Sequence, residues 1–324
     1  MKKIFILVPE AAVPATVSGP KYLFSEANHI LQRSGRSPLF DIKLVGEAEY
    51  MAVYDESFYV VTDATLDNSG QADLVIIPPT RGEPSACIAI NEKCRPWIID
   101  QYKNGAEVAS LCVGAFLLAS TGLLNGKKCS THWAYYDLFR ANFPNVEIVD
   151  GAIITEQNGI YSSGGANSFW NLLLYILEKY TCRETALTAS KFFAIDIDRS
   201  SQSPFMMFQG QKNHQDTDIL KIQEYIESNY SDKITVDQLA DKISVSRRTF
   251  ERRFKNATDN TVIHYLQRVK VEAAKRSLES TRKNVNEVMY DVGYNDTKAF
   301  RSVFKKITGL TPVEYRSKFQ KLEY

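Results

Sequence analysis

Residues 247–258, RRTFERRFKNAT, return in diverged form as residues 297–308, TKAFRSVFKKIT, at an offset of 50. Phe250 matches Phe300, Phe254 matches Phe304, Lys255 matches Lys305 and Thr258 matches Thr308. The correspondence continues through Thr261 and Thr311 to Tyr265 and Tyr315, and reaches back to Asp241 and Asp291. A unit of this length present only twice is no solenoid. It reads as two copies of one helical unit.

Each copy holds a helix, a tight turn and a second helix. Thr235 and Gln238 form a capping-box pattern ahead of Val236, Leu239, Ala240 and Ile243, which starts a helix. Ser244-Val245-Ser246 breaks it, and Ser246 can cap the next helix. In the second copy Asn284 and Glu287 repeat the box, Gly293 ends the helix, and Asn295-Asp296 open the next. On a helical wheel Phe250 and Phe254 point into a core, with Arg248, Arg252 and Lys255 opposite and Glu251 at the side. Phe300 and Phe304 point inward likewise, leaving Lys298, Ser302 and Lys305 outside, flanked by Arg301. Two capped helices with basic outer faces at equivalent positions of a repeat point to double-stranded DNA.

The run Asp291-Val292-Gly293-Tyr294-Asn295-Asp296, with Phe300, Phe304-Lys305-Lys306, Thr308-Gly309, Thr311-Pro312 and Tyr315-Arg316, resembles the signature of AraC/XylS-type transcription regulators. The resemblance covers residues 216–316. It implies an all-α domain with two helix-turn-helix units joined by a long helix over residues 262–280, whose Ile263, Leu266, Val269, Ala273 and Leu278 keep helical spacing. It also implies base-reading positions at Arg248, Glu251 and Arg252, and at Lys298, Arg301 and Ser302. The first copy departs from the pattern, with Asp259-Asn260 and Val262 where the second has Gly309-Leu310 and Pro312. Its arginine face is the stronger, so Arg248 and Arg252 are expected to dominate base reading while the second helix contributes more to positioning.

The 324 residues suffice for two domains, and 44% hydrophobic content supports packed cores. The net charge of +1 hides an asymmetry: residues 216–324 hold 21 Lys and Arg against 16 Asp and Glu, and residues 1–215 hold 18 against 22. The basic part is the part with the repeat, as suits a nucleic-acid module beside a domain of another purpose. Met1-Lys2-Lys3 followed by the apolar residues 4–8 and Pro9-Glu10 is too short for a secretory signal and reads as a buried first strand. No segment approaches a membrane span. Cys87, Cys94, Cys112, Cys129 and Cys182 are odd in number and lack a CxxC pair, and the four histidines are scattered. These features imply a reduced, cytoplasmic setting and no metal site or cofactor.

Before the repeat, apolar strand candidates at 3–8, 42–45, 59–61, 74–77 and 108–111 alternate with helical segments at 22–33, 86–103, 115–120, 133–142 and 166–180. Such alternation predicts a parallel α/β sheet covered on both faces, with its functional crevice at the carboxyl ends of the strands. At one of those ends lies Ser110-Leu111-Cys112-Val113-Gly114-Ala115, where a strand runs into a helix. A cysteine there is expected to feel the positive helix end, which stabilises thiolate. His132, after another short strand, could reach it. On spacing alone the pair also fits a small buried thiol and a hydrogen-bonded surface histidine.

The run of residues 111–119 with Gly122-Leu123-Leu124, Thr131-His132-Trp133, Phe143-Pro144 and Ser162-Ser163-Gly164-Gly165 resembles the PfpI-like branch of the class I glutamine amidotransferase-like superfamily. In particular it is similar to GlxA-like regulators, which fuse that flavodoxin-like domain to an AraC-type tail. Catalysis on this fold needs a thiolate, a histidine, an acid and oxyanion donors. Here Pro79, which has no N–H, stands after the strand at 74–77 and its Pro78, where the related pattern has glycine, and Thr16 stands where the related Val17-Ser18-Gly19-Pro20 loop has an acid, with Glu10 nearby. A nucleophile with depleted support implies a sensing or dimerising role. Two competing readings keep Cys112 in use: a cysteine-dependent hydrolase or lyase using Cys112 and His132, and a redox sensor.

Residues 184–193 fit one more helix, and 198–204 are polar and turn-rich. The expected organisation is a sensor or dimerisation domain at 1–195, a linker at 196–215, in which Met206, Met207 and Phe208 are unusually apolar, and the DNA-binding domain at 216–324. The whole reads as a homodimeric, DNA-binding regulator with a small-molecule effector.

Overall fold

The computed structural model describes residues 1–54, 56–199 and 201–320 and divides into two units, Met1–Gln202 and Ser203–Tyr324. The first has strands β1 (Lys2–Leu7), β2 (Phe40–Gly46), β3 (Tyr50–Val53), β4 (Phe58–Val61), β5 (Ala64–Thr65), β6 (Leu74–Ile77), β7 (Glu107–Leu111), β8 (Lys128–Cys129), β9 (Glu147–Ile148), β10 (Ile154–Gln157) and β11 (Ile160–Ser163). Its helices are α1 (Pro14–Arg33), α2 (Pro84–Ile90), α3 (Cys94–Lys103), α4 (Ala115–Ser120), α5 (Tyr136–Asn142), α6 (Phe169–Tyr180) and α7 (Arg183–Phe192).

Seven strands form one sheet in the order β10-β11-β7-β6-β1-β2-β5, parallel except for the β10–β11 pair. Strand periodicity sorts the apolar residues onto two faces. Ile4, Ile6, Leu74 and Ile76 join the core under α1 and α6, while Phe5, Leu7, Val75 and Ile77 join the core with Trp97, Ile98 and Phe116. Gly114 allows the start of α4 to rest on the end of β6, since a Cβ there would stand 2.6 Å from the Ile77 carbonyl. The parallel strands end along one edge, at Leu7, Ile77, Leu111 and Ser163.

Several local expectations change. The segment 59–61 is a strand but pairs only with β3, in a separate hairpin. The helix expected over 86–103 is two helices, α2 and α3, separated around Asn91, whose buried carboxamide donates to the Glu10 and Cys87 carbonyls. Val17-Ser18-Gly19-Pro20 is not a loop but the first turns of α1, with Pro14 at its start and Pro20 inside it. Proline in the first turn costs a helix nothing, because the first N–H groups have no intrahelical partner.

The second unit is all helical: α8 (Thr217–Ser228), α9 (Val236–Lys242), α10 (Arg247–Thr258), α11 (Val262–Ser280), α12 (Val285–Asp291), α13 (Thr297–Thr308) and α14 (Pro312–Phe319). The capping boxes at Thr235 with Gln238 and at Asn284 with Glu287 are formed. Phe250, Phe254, Phe300 and Phe304 are fully buried. The repeat extends into hydrogen bonding: Thr258 and Thr308 donate to Phe254 and Phe304 carbonyls, each at 2.8 Å, and Tyr265 and Tyr315 donate to Glu227 and Glu279. One detail corrects the sequence comparison. The first helices, α9 and α12, are offset by 49, not 50, because the second turn is one residue longer. Asp241 is therefore equivalent to Tyr290 rather than Asp291; Ser244 and Gly293 donate their N–H groups to those two residues' carbonyls. Ile263, one of the apolar residues at helical spacing, is 59% exposed, whereas Tyr265 is fully buried.

α11 serves both halves: Val262, Tyr265 and Val269 belong to the first core, and Val271, Ala274 and Leu278 to the second. Residues 203–212 run along it as a strap. The Phe205 ring packs edge-on against Phe319, the Met206 carbonyl accepts Lys275 Nζ, and the Phe208 N–H donates to Glu272 at 3.1 Å. Beyond Phe208, which packs on Tyr265, the Gln211 carbonyl accepts Gln223 Nε2 at 2.9 Å.

The two copies differ where the backbone turns left-handed. Gly293 and Gly309 have φ of 74° and 77°; the equivalent Ser244 and Asp259 have 54° and 53°. A Cβ is disfavoured in that region. Ser244→Gly and Asp259→Gly should each stabilise the second unit by about 0.5–1 kcal/mol, after the entropic cost of glycine in the unfolded chain. Hydrogen exchange of α10 amides in the full-length chain checks this, and Gly309→Ala should move the opposite way.

Candidate nucleic-acid interface and the cysteine turn

α10 is capped by Ser246, whose Oγ accepts the Thr249 N–H at 3.3 Å, and α13 by Asp296, whose Oδ1 accepts the Ala299 N–H at 2.6 Å. Their phenylalanines face the cores. The opposite faces expose Arg248, Glu251, Arg252 and Lys255 on α10, and Lys298, Arg301, Ser302 and Lys305 on α13. Each set of sequence-selected residues thus shares one exposed helix surface. Arg248, Arg252, Lys298 and Arg301 have no ion-pair partner among the described residues. Glu251 differs, because it accepts Arg247 Nε at 3.3 Å, and Arg247 also reaches Asp237 at 3.1 Å.

Arg253, which the sequence places among the basic residues of the same helix, is turned inward. Its guanidinium grips Asp216 at 2.9 and 2.6 Å and Asp218 at 2.9 Å. Arg253, foremost, holds the Asp216 carboxyl below the usual carboxylate range. This pair fastens α10 to the start of α8. Helical spacing could have separated Arg253 from Arg252, since consecutive residues point about 100° apart.

The cysteine turn does not have the chemistry expected of it. Cys112 sits at the end of β7 with φ of 54°, so the backbone strain of a nucleophile turn is present. Burial, however, pushes its thiol up to about 12, and the Val113 N–H opposes that only in part. Desolvation outweighs the helix end. His132 is no partner: its Nδ1 accepts the Ala134 N–H at 3.2 Å, its ring lies 5.3 Å from that of Trp133, and burial lowers its pKa. The Cys112 carbonyl is instead tied to Thr131 Oγ1 at 3.0 Å. Thr16 donates to the Val13 carbonyl at 2.6 Å, and Glu10 is exposed, its charge helping to push up Cys94 rather than acting on Cys112. Pro79, which has no N–H, offers only a carbonyl, which accepts the Val13 N–H at 3.0 Å.

A family model described as DJ-1/PfpI family matches residues 2–179, more than half of the sequence. The chain belongs to the DJ-1/PfpI family. A second model, described as a helix-turn-helix domain, matches residues 239–318, which gives this DJ-1/PfpI protein an AraC-type C-terminal domain. Among curated proteins it is similar to the HTH-type transcriptional regulator GbdR of Pseudomonas aeruginosa, 25% identical over 264 residues that cover 81% of this chain and 70% of the relative. It is also similar to the HTH-type transcriptional regulator ArgR of the same species, 24% identical over 66% of this chain and 65% of the relative. Among solved structures a ThiJ/PfpI family protein from Pseudomonas syringae superposes with a TM-score of 0.51 at 18% identity, covering 62% of this chain and 78% of that one. That likeness concerns the fold of the first unit.

Sequence reasoning missed the thiol with the most activated surroundings. Cys182 caps α7, where the Thr185 hydroxyl at 3.4 Å, the Thr185 N–H and the Arg36 guanidinium at 3.6 Å draw it down to about 7. A cysteine just before a helix was the available signal; Arg36 is 146 residues away in sequence. At neutral pH a limiting dose of iodoacetamide should label Cys182 first and leave Cys112 unmodified, as read by peptide mass spectrometry. Preferential labelling of Cys112 would contradict the burial argument.

Proposed function

We propose that this protein is a sequence-specific DNA-binding transcription regulator, acting in the cytoplasm, whose non-catalytic DJ-1/PfpI unit senses a small molecule and joins two copies into a homodimer. The observation that carries the reading is the pair of equivalent, capped helices α10 and α13, each with exposed cations uncommitted to ion pairs. α11, which links the two halves, has 19 residues, and at 1.5 Å per residue it is about 28 Å long. That length is comparable to the roughly 34 Å between successive major grooves on one face of a duplex. One protomer can therefore offer α10 and α13 to neighbouring grooves. The names of the similar proteins GbdR and ArgR support the same reading.

The competing enzymatic reading needs a thiolate at Cys112 that burial opposes, a histidine that is engaged elsewhere and a donor that Pro79 lacks. Redox sensing at Cys112 meets the same obstacle, since oxidants attack the thiolate. For dimerisation, the β3–β4 hairpin exposes Phe58 and Tyr59 beside Tyr22, around a groove of about 430 Å³ whose lining also includes Val17, Leu44 and Val60. An apolar patch of this kind suits a protein contact.

Selection of bound sites from random DNA tests the reading directly: two short elements about one helical turn apart are expected, and recovery of no preferred sequence would refute it. Within such a site Arg248→Ala should cost about 1–3 kcal/mol and relax specificity at one position. Lys298→Ala should weaken all sequences alike and reduce the salt slope by about 1. Equal losses of specificity from the two would overturn that division. In sedimentation velocity Tyr59→Asp should lower the dimer fraction without altering the base preferences of the recovered sites.

A further inference from the structure

Beside the ends of β7 and β11, the first unit encloses one of its own side chains. Gln202 is 1% exposed, and its carboxamide is surrounded by polar groups from two loops and the start of α5. Its Nε2, with two hydrogens to donate, has three acceptors in reach: the Thr131 carbonyl at 3.0 Å, the Ala152 carbonyl at 3.0 Å and Tyr136 Oη at 2.8 Å. Its Oε1 accepts the Trp133 backbone N–H at 3.3 Å. The backbone is held too: the Gln202 N–H donates to the Gly151 carbonyl at 2.8 Å, and Ser201 bridges Ala152 in antiparallel fashion.

Glycine makes the room. A Cβ on Gly164 would stand 2.1 Å from Gln202 Nε2 and 2.7 Å from the Thr131 carbonyl, so the glycine is required by close approach. The neighbouring hydroxyl of Ser168 is buried and has no hydrogen-bond partner among the described residues. Ser168 Oγ and Gln202 Oε1 both lie within 3.5 Å of the place a Cβ on Gly165 would occupy. Buried hydroxyls are ordinarily satisfied, so one left open beside an enclosed amide marks capacity for a further bond. Thr131 and Trp133 of the stretch Thr131-His132-Trp133, and Gly164 and Gly165 of Ser162-Ser163-Gly164-Gly165, are accounted for as walls of this pocket.

A primary amide faced by three acceptors and one donor has the surroundings of a bound ligand, and here the chain supplies it. We infer that this pocket is the effector site of the first unit, that it takes a small molecule ending in a neutral primary carboxamide, and that Gln202 fills it as a displaceable internal ligand. The described groups that bond the Gln202 side chain are neutral, which selects against a charged head group, because an unpaired buried charge is costly. An effector that seats its own amide against Thr131, Ala152 and Trp133 releases Ser201 and Gln202, the residues immediately before the second unit begins at Ser203. The effector role rests on the regulator reading above, whereas the exchange of one amide for another does not.

Hydrogen exchange on the full-length chain tests the exchange without DNA. Gln202→Ala should speed exchange of the amides around residues 196–206 by roughly tenfold. Millimolar propionamide should restore slow exchange in the 131–133 and 151–152 segments of this variant, and propionate, equal in size but charged, should not. In the unaltered chain propionamide should instead accelerate exchange at Ser201 and Gln202. Gln202→Glu keeps the shape while replacing the donor by an acceptor facing three acceptors, and should resemble the alanine variant even if the latter folds poorly. Unchanged exchange in both variants, or no selectivity for propionamide over propionate, would overturn the proposal. If the exchange results appear as expected but no form of the protein selects a DNA sequence, the regulator reading and the effector role fall while the amide pocket stands.

Discussion

Burial of two phenylalanines per copy against a shared helix is the constraint on which the second unit depends. Phe250 and Phe254 on one side, and Phe300 and Phe304 on the other, fill cores that meet along α11. Fully burying one such side chain contributes about 1.5–3 kcal/mol relative to exposure. A helix whose inner face is fixed by that requirement has its outer face fixed as well, since a 100° step per residue leaves no freedom to rotate the cations away. The orientation of the basic surfaces is therefore a by-product of core packing.

Much of this was legible in the chain itself. A repeat with capping boxes, phenylalanines one turn apart and glycines at helix ends states its helices redundantly, and the outer residues Arg248, Arg252, Lys298 and Arg301 follow from the inner ones. The one-residue difference between the turns was hidden because the match at Asp241 and Asp291 is fortuitous; caps and hydrogen-bond partners, not residue identity, set the equivalence. In the first unit the strands of the parallel sheet were visible as apolar runs. The short strands β10 and β11 were not, since Ile154–Gln157 is mostly polar and Ile160–Ser163 ends in serines that are buried without being apolar. The hairpin β3–β4 could not be told from a sheet strand by pattern, because its exposed aromatics have the same β preference as buried ones.

The cysteine turn shows why a motif alone does not determine reactivity. The turn places Cys112 where helix and backbone dipoles favour thiolate, and the local geometry survives, including the left-handed backbone. What decides the ionisation is the depth of the sulfur, a tertiary quantity. Cys182 makes the converse point: an unremarked residue becomes acidic through Thr185 and a distant arginine. Two thiols in one fold thus have opposite character for reasons that only three-dimensional placement supplies.

The strap of residues 203–212 has a bearing on how such proteins are cut and recombined. The helical repeat and its lead helix α8 invite a boundary near Asp216, and a fusion made there would leave behind the segment that lies across both halves of the repeat. Tyr265 would lose the aromatic ring against it, and the buried Lys275 would lose the Met206 carbonyl it bonds, although its pair with Glu272 at 2.8 Å would remain. Modularity in this chain is therefore asymmetric: the smaller part carries its own brace upstream of the sequence by which it is recognised.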